Sequence, residues 1–468
     1  MAQALQHYTE ELTALARAQG LDFHPVDFEL VPPSFMMEVA VYGLPVRMAH
    51  WSFGVRWIHQ LVQHRMGHSR IFEVVFPGNP NRAYLVNTNS LQENTLVVAH
   101  VLGHSDFAKN NLQFRRVEHE VGHHIVEQAA AHAHRIQEAI DEFGQERVER
   151  VLDAALALEQ HVDLQRPLSR ARYGVRPEAE ASVPAGSFRS RFGALPGERE
   201  APAATRGRPR LRIPPHPETD LLWFIAQYAP EMEDWERDIF LAVREESFYF
   251  YPVFSCQIMN EGWASYWHAR LLREAGFLPQ FLYLDAMKTH SDVVRPHAGD
   301  HQVALAINPY HLGFVLWDRI VEADGLEAAR DIMGAEDDFG FIRNHLDAEL
   351  AERLNLFVYQ ARSDGEIKVM ERDIHALHEA ILAPKYNFAA PHIAVAELRV
   401  DGGLMLEHDY RIDGRGLDLA RTHKVLNYLR QVWRRPVSLL TQDALGGEQV
   451  LEASERHEAA GVPSGRRR

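Results

Sequence analysis

Two histidines four residues apart are the first feature of this chain that could support chemistry. His100 and His104 lie in the run NTLVVAHVLGHSDFAKNN, and the residues around them are mostly apolar. On a helix, positions i and i+4 share one face, which is the spacing that two imidazoles need to bind one metal ion. Because the apolar surroundings predict a buried helix, both imidazoles need partners. These partners are either a metal ion or hydrogen-bonding groups of the core, and both alternatives stay open at this point.

A second histidine pair matches a zinc-protease pattern literally. Residues 119–123 read HEVGH, which fits HExxH. At about 100° per residue, however, the apolar residues of this segment form a separate stripe, and His119 and His123 fall on the polar side of it. A solvated helix face explains such histidines without any metal. We therefore favour His100 and His104 as the ligand pair.

A carboxylate for the same site is predicted in the later run NEGWASYWH, residues 260–268. Glu261 and His268 are seven residues apart and so lie on one helix face. A carboxylate is costly to bury alone in so aromatic a helix, and a metal ion or cation would offset that cost. The alternative is a glutamate at a solvated helix start. With the first histidine pair, Glu261 completes three ligands and leaves an open position, as in catalytic zinc sites.

Composition limits the classes of protein and of site. The 468 residues include 27 histidines but one cysteine, Cys256, which excludes an internal disulfide framework and any multi-cysteine zinc site. The 49 basic and 65 acidic residues give a net charge of 49 − 65 = −16, which argues against a general binder of nucleic acid or anionic membranes. No apolar run is long enough to span a bilayer, and the first 20 residues favour an amphipathic helix over a signal peptide. A cytoplasmic location is the default expectation.

The elements that must position these residues are mostly helical. A helical region is predicted from about Ser90 to Leu158, with a break near residues 106–111, and two strands, IFEVVF and RAYLVN, precede it. Helical patterning returns from Asp220 to about Leu354. Near the C-terminus, IAVAELRV and LMLEHDYRI flank Asp-Gly-Gly as a β-hairpin, and a helix and the strand PVSLLT follow. This pattern predicts an α+β fold that is mostly helical.

The predicted domain bounds follow changes in composition. Residues 1–165 and 217–355 form the two halves of a helical main domain, and residues 356–452 form a small α+β C-terminal domain. Between the halves, residues 166–216 are dense in Pro, Gly and Arg without an apolar period, which predicts a disordered insert. Residues 453–468 are predicted to form a disordered tail.

Several motifs together resemble the stage V sporulation protein R (SpoVR-like) family. The matching strings include PVRMAHWSFG, VVAHVLGHSDFAKNN, DWERDIFLAVREESFYFYP and IMNEGWASYWH. The resemblance implies a cytoplasmic bacterial protein, linked in spore formers to spore cortex assembly. It also implies, as possible partners, a serine protein kinase and a von Willebrand-type protein from the same system.

A fainter resemblance to the gluzincin metallopeptidases implies how the site would work. It implies a gluzincin-like main domain that binds a divalent metal, zinc in first place, through His100, His104 and Glu261. His268 would then be a fourth ligand or a residue behind the ligands. Val101 occupies the position of the catalytic glutamate of that family, which puts ordinary peptidase chemistry in doubt.

The groups expected to complete the chemistry come from other helices. Glu246, or else Glu245, would supply the missing base, and Tyr310 or His311 would stabilise an oxyanion. The predicted activity is amide hydrolysis on a peptide or a peptidoglycan-type substrate. The rival prediction is a non-catalytic scaffold that partners the kinase system, and Val101 favours it.

Overall fold

The structure is a computed structural model that describes residues 2–57, 73–173, 212–295, 308–361, 367–371, 373–413, 416–442 and 447–453. The central part of the predicted insert, 174–211, and the predicted tail from 454 onward lie outside these residues. The described chain is mostly helical with small sheets, so the predicted α+β class is confirmed.

Sixteen helices are defined within the described ranges, and residues 51–57 are helical as well. In chain order they are α1 (Ala2–Ala18), α2 (Pro33–Tyr42), α3 (Leu91–Asn110), α4 (Leu112–Val121), α5 (Ile125–Phe143), α6 (Gln145–Ala157), α7 (Leu221–Tyr228), α8 (Asp234–Ser255), α9 (Gln257–Glu274), α10 (Gln280–Val293), α11 (Pro309–Ala335), α12 (Asp338–His345), α13 (Ala348–Arg353), α14 (Ile374–Leu382), α15 (Tyr410–Asp413) and α16 (Leu419–Trp433). A 3₁₀ segment follows α14 at Ala383–Ala389.

The described strands form three small sheets. They are β1 (Val26–Val31), β2 (Glu73–Phe76), β3 (Asn81–Val86), β4 (Val358–Ala361), β5 (Ile367–Glu371), β6 (Ile393–Leu398), β7 (Leu404–His408), β8 (Val437–Gln442) and β9 (Glu448–Glu452). The strand orders are β1-β3-β2, β4-β5 and β6-β7-β8-β9, with β1 parallel to β3 and β7 parallel to β8. The predicted strands β2, β3 and β8 and the β6–β7 hairpin are confirmed, whereas the sequence did not reveal β1, β4, β5 or β9.

Helix α3 has well-defined ends that the sequence explains. Ser90 and Glu93 form a reciprocal capping box at its start, with Glu93 N donating to Ser90 Oγ at 3.2 Å and Ser90 N donating to Glu93 Oε2 at 2.7 Å. The helix ends at Asn110, and the Asn111 side chain caps the start of α4 by accepting a hydrogen bond from Gln113 N at 2.9 Å. The predicted break is therefore confirmed, and an asparagine cap produces it.

Helix α9 packs against α3 and α11 at positions where only glycine fits. An ideal Cβ on Gly262 would lie 2.3 Å from the backbone carbonyl carbon of Gly313 on α11. An ideal Cβ on Gly103 of α3 would lie 2.7 Å from Ala264 Cα of α9. These close approaches fix the relative positions of three helices, because backbone atoms cannot give way as side chains can.

The buried residues form two hydrophobic cores, one of which includes these three helices. One contains buried residues of α1, α3, α9 and α11, including the indoles of Trp263, Trp267 and Trp317, with Trp267 and Trp317 each meeting Trp263 edge to face. The other joins α5–α8 to the C-terminal sheet, where Trp433 stacks on Phe224 with ring centroids 6.3 Å apart. The C-terminal sheet therefore shares a core with the helices that precede it.

Candidate metal centre

His100, His104 and Glu261 come together between α3 and α9. The Nε2 atoms of both histidines lie 3.5 Å from Glu261 Oε2, so one carboxylate oxygen faces two imidazole nitrogens. His100 is buried, and the side chains of His104 and Glu261 are 12% and 21% exposed. The three residues, which we call the inner cluster, form one of two described groups whose ligand atoms lie within 4.8 Å of one another.

The other ring nitrogens of the two histidines are hydrogen-bonded away from the cluster. His104 Nδ1 lies 2.8 Å from Asn260 Oδ1, and since an amide oxygen only accepts, Nδ1 carries a proton, which leaves the lone pair of the neutral ring on Nε2. His100 Nδ1 lies 2.9 Å from His268 Nδ1, whose Nε2 in turn lies 2.6 Å from His290 Nδ1. Metal-binding histidines have this type of outer support, which fixes the ring orientation and the tautomer.

Two atoms of the inner cluster are buried without a hydrogen-bond partner. These atoms are His100 Nε2 and Glu261 Oε2, and both point into the space that the cluster surrounds. An unsatisfied buried polar atom costs roughly 1–3 kcal/mol, and a charged one more. A metal ion bound to these two atoms and to His104 Nε2 would remove that cost, so the residues fit a metal ion.

Electrostatics favour an ionised Glu261 between neutral and charged imidazoles. Burial opposes its ionisation, but His104 and His100 hold its pKa well below the usual range. Burial also lowers the pKa of His100, and the neighbouring His104 lowers it further. For His104, burial is outweighed by the charge of Glu261, which raises the pKa above its ordinary value. The inner cluster therefore keeps Glu261 ionised, and a metal ion could take the place of the proton on His104.

Glu73 is a fourth titratable residue at the site, and it was not predicted from the sequence. Its Oε1 lies 4.0 Å from His100 Nε2, and its side chain is 17% exposed. Burial, followed by the charge of Glu261, raises its pKa to about 7. The available signal was a lone carboxylate inside the apolar run IFEVVF, but no local pattern relates residue 73 to residues 100 and 261.

Tyr310, one of the two residues predicted to stabilise an oxyanion, lies beside the inner cluster at the start of α11. Its ring stacks on that of His100 with a centroid distance of 6.0 Å and an interplanar angle of 25°. The charge of Glu261, together with burial, raises the pKa of the Tyr310 hydroxyl well above its usual value. The hydroxyl is therefore protonated at neutral pH and can donate a hydrogen bond.

The structure places three other predicted residues elsewhere. Glu246 Oε2 accepts from Arg47 Nε at 2.6 Å, and its Oε1 lies 3.2 Å from His132 Nδ1. Glu245 Oε2 lies 3.7 Å from His132 Nε2. Both glutamates thus belong to a buried charge network on the other core, because α8 directs them away from α3. His311 Nδ1 bonds to the carbonyl oxygen of Val294 at 2.9 Å, which ties the start of α11 to the end of α10.

His268 lies behind the inner cluster and is not among its ligand atoms. Both of its ring nitrogens are engaged, one with His100 and the other with His290. Burial and the neighbouring histidines hold the pKa of His268 well below its usual value, so the ring is neutral. Of the two predicted roles, the geometry corresponds to a residue that orients His100 and not to a fourth ligand.

The HEVGH run does not form a histidine pair on a continuous helix. Helix α4 ends at Val121, and Gly122 adopts a positive φ of 88° that turns the chain. His119 is exposed, whereas His123 Nδ1 contacts Glu118 Oε1 at 2.7 Å. The literal motif match therefore lacks the geometry of the motif.

Comparison with known proteins gives one family and one relative. The family described as "SpoVR like protein" matches residues 1–389, which end just before β6. A relative in Escherichia coli (strain K12), named "Uncharacterized protein YcgB", is 29% identical over 489 residues that cover 96% of this chain and 94% of the relative. No solved structure matches the chain, so the likeness to gluzincins stays a prediction. In the described residues, no helix is both long and apolar enough to cross a membrane.

Proposed function

We propose that this chain, which belongs to the SpoVR-like family, is a hydrolase that uses one divalent metal ion, zinc in first place. His100, His104 and Glu261 would hold the ion. The observation that supports this most is the convergence of His100 Nε2, His104 Nε2 and Glu261 Oε2, two of which are buried without a hydrogen-bond partner. Two nitrogens and one carboxylate oxygen form a donor set typical of catalytic zinc.

The chemistry such an ion supplies is a lowered pKa of bound water, to about 7, and polarisation of a carbonyl group. The chain must still provide a group that takes up a proton. Glu73 is the best candidate, because it is a carboxylate that faces the inner cluster, with its Oε1 4.0 Å from His100 Nε2. It would replace the glutamate that is missing at Val101.

Tyr310 would stabilise negative charge on the substrate. Its hydroxyl stays protonated because the charge of Glu261 raises its pKa, and it lies on the His100 side of the cluster. A donor held in place before the reaction stabilises a developing oxyanion without reorganisation. This role was predicted for Tyr310 or His311, and the contact with His100 favours Tyr310.

The substrate class rests on the family resemblance and on the donor set. An amide bond of a peptide or of a peptidoglycan-type molecule is the substrate that we propose, with the bacterial cytoplasm as the location and sporulation as the setting in spore formers. The second candidate function is a scaffold for a serine protein kinase and a von Willebrand-type protein. Val101, which is fully buried and cannot act as a base, favours it.

The first test is the metal content and activity of the purified full chain. We expect a tightly bound equivalent of metal at the inner cluster that is lost in His100→Ala and Glu261→Ala, and hydrolysis of one or more members of a panel of peptides and muropeptides. Absence of stoichiometric metal from both the isolated and the zinc-reconstituted chain would refute the proposal.

The second test separates the base from the ligands. In Glu73→Gln we expect kcat to fall by about 10²–10⁴-fold with the metal still bound, because proton transfer contributes on that order. Glu29→Gln, on the exposed side of β1 in the same sheet, is the matched control and should keep full activity. A metal-loaded wild type without activity, together with activity in Val101→Glu, would favour the scaffold.

A further inference from the structure

A second group of ligand-type side chains lies away from the inner cluster, at His24, Glu118 and His123. We propose that these residues, the outer cluster, bind a second divalent transition metal ion. Glu118 Oε1 lies 2.7 Å from His123 Nδ1 and 3.4 Å from His24 Nε2. The three ligand atoms all lie within 4.8 Å of one another. Ligand atoms with such spacings surround an ion at distances of about 2.0–2.2 Å.

The turn between β2 and β3 contacts the backbone of both histidines of the outer cluster. Asn81 Nδ2 donates to the carbonyl oxygen of His24 at 3.2 Å, and Asn81 Oδ1 accepts from Gly78 N at 3.2 Å. The carbonyl of His123 packs on the same turn so closely that a Cβ on Gly78 would lie 2.4 Å from it. The turn between β2 and β3 therefore fixes the spacing between two histidines that are 99 residues apart in the sequence.

Helix α4 and the glycine that ends it supply the rest of the geometry. Glu118 lies in the last turn of α4, and Gly122, with its φ of 88°, turns the chain so that His123 comes back toward Glu118. With a ψ of −166°, this backbone conformation is essentially restricted to glycine and costs an L-residue about 1–3 kcal/mol, so the glycine favours this return. The two ring planes of His24 and His123 are nearly perpendicular, at 83°, with centroids 5.9 Å apart.

The outer cluster is accessible to ions from solvent. The side chains of His24, Glu118 and His123 are 23%, 28% and 42% exposed. A small cavity beside His24 and Glu118 is lined by residues that include Gly78 and Tyr249. Two imidazoles and one carboxylate suit zinc, cobalt, nickel or copper better than calcium or magnesium, which take oxygen ligands.

An ordinary ion pair between His123 and Glu118 is the alternative, and it does not need His24. The alternative therefore makes a different prediction: removal of His24 should leave an ion pair unchanged but should remove a metal ligand. We expect the loss of metal binding in His24→Ala to match the loss in His123→Ala.

The test uses zinc alone and the full chain after chelator treatment. Zinc is titrated in competition with a chromophoric chelator, and the number of bound equivalents is compared between variants. We expect His24→Ala, Glu118→Gln and His123→Ala each to bind one equivalent fewer than the wild type, with at least a tenfold loss of affinity for that equivalent. His119→Ala, a substitution at an exposed histidine on the same helix, should bind as many equivalents as the wild type.

Two outcomes would overturn the proposal. One is a full complement of zinc in His24→Ala, and the other is equal binding in His123→Ala and His119→Ala. Thermal unfolding of each variant shows whether it is folded, and the equivalent that is lost in His100→Ala must still be present in the outer-cluster variants. Failure of the outer cluster and failure of the inner cluster are therefore distinguishable, because each removes a different equivalent.

Discussion

The inner and outer clusters have the same donor set of two imidazoles and one carboxylate, but the chain supports them differently. The inner cluster comes from two buried helices, and Asn260 and His268 hold its histidines from behind. The outer cluster comes from a loop and a helix end and is held through backbone atoms of its histidines. The same donor set is thus held through side-chain hydrogen bonds at one place in the chain and through backbone contacts at the other.

The largest expected effect concerns the glycines near each cluster. Gly262→Ala should lower the free energy of unfolding by at least about 3 kcal/mol, because its Cβ would meet the backbone of Gly313 at 2.3 Å and α9 and α11 would have to separate. Gly122→Ala, near the outer cluster, should cost less, about 1–3 kcal/mol, because the strain comes from the backbone angles of φ 88° and ψ −166°, and a Cβ there would come no closer than 3.9 Å to Gln128.

Urea unfolding of the chelator-treated variants checks this difference. Equal losses in Gly262→Ala and Gly122→Ala would show that the inner cluster is no more tightly built than the outer one.

Acid should destabilise the region behind the inner cluster. Burial, and then the charge of Arg273, lowers the pKa of His290 from 6.5 to about 4. The unfolded chain therefore binds a proton that the native chain does not bind, and the native state loses stability as the pH falls from about 6.5 to about 4. The loss is about 1.4 kcal/mol per pH unit in this window, or about 3 kcal/mol in total.

His290→Asn tests this prediction while it keeps an oxygen acceptor for His268 Nε2. The free energy of unfolding, measured from pH 7 to pH 4 without metal, should fall less steeply in the variant. If the free energy of unfolding falls equally steeply with pH in the variant and the wild type, His290 does not cause the loss of stability in acid.

The hydrogen bond that holds His104 from behind should increase the zinc affinity of the inner cluster. Asn260→Ala removes the acceptor for His104 Nδ1, and we expect the dissociation constant for the inner zinc to rise about 10–100-fold. In the described part of the chain we find no corresponding side-chain hydrogen bond behind His24 or His123. If Asn260→Ala leaves the zinc dissociation constant of the inner cluster unchanged, the hydrogen bond behind His104 does not distinguish the inner cluster from the outer one.

The smallest expected effect is on stability at the outer cluster. Glu118→Gln should change the free energy of unfolding of the metal-free chain by less than about 0.5 kcal/mol, because partly exposed ion pairs contribute little. Thermal unfolding with and without zinc measures this. A large loss in the metal-free chain would assign Glu118 a structural role that does not depend on metal.

The sequence predicted what is encoded locally. The i, i+4 spacing singled out His100 and His104, and the aromatic run around residue 261 singled out the carboxylate that the structure brings to them. The capping asparagine at residue 111 produced the predicted helix break. These features depend on neighbours within a turn or two, so periodicity and composition detect them.

What the sequence did not predict depends on long-range packing. Glu73 reaches His100 because β2 lies beside α3, and Glu246 points to Arg47 because α8 faces the other core. The residues near Glu73 and Glu246 in the sequence do not indicate which distant side chain each of them contacts. His24 and Glu118 are likewise brought together by the loop between α1 and β1, and β1 itself lies in a stretch with no clear strand period.

Asn111 connects the helix that carries His104 of the inner cluster to the helix that carries Glu118 of the outer cluster. Its Nδ2 donates to the carbonyl oxygens of Met333 at 2.7 Å and Glu336 at 2.9 Å, so the end of α3, the start of α4 and the end of α11 meet at one side chain. Helix α4 extends about 15 Å from Asn111 toward the outer cluster, given 1.5 Å per residue. If α4 rotated by about 10° about Asn111, its far end near Glu118 and His123 would move by roughly 2–3 Å, which is more than a metal–ligand distance tolerates.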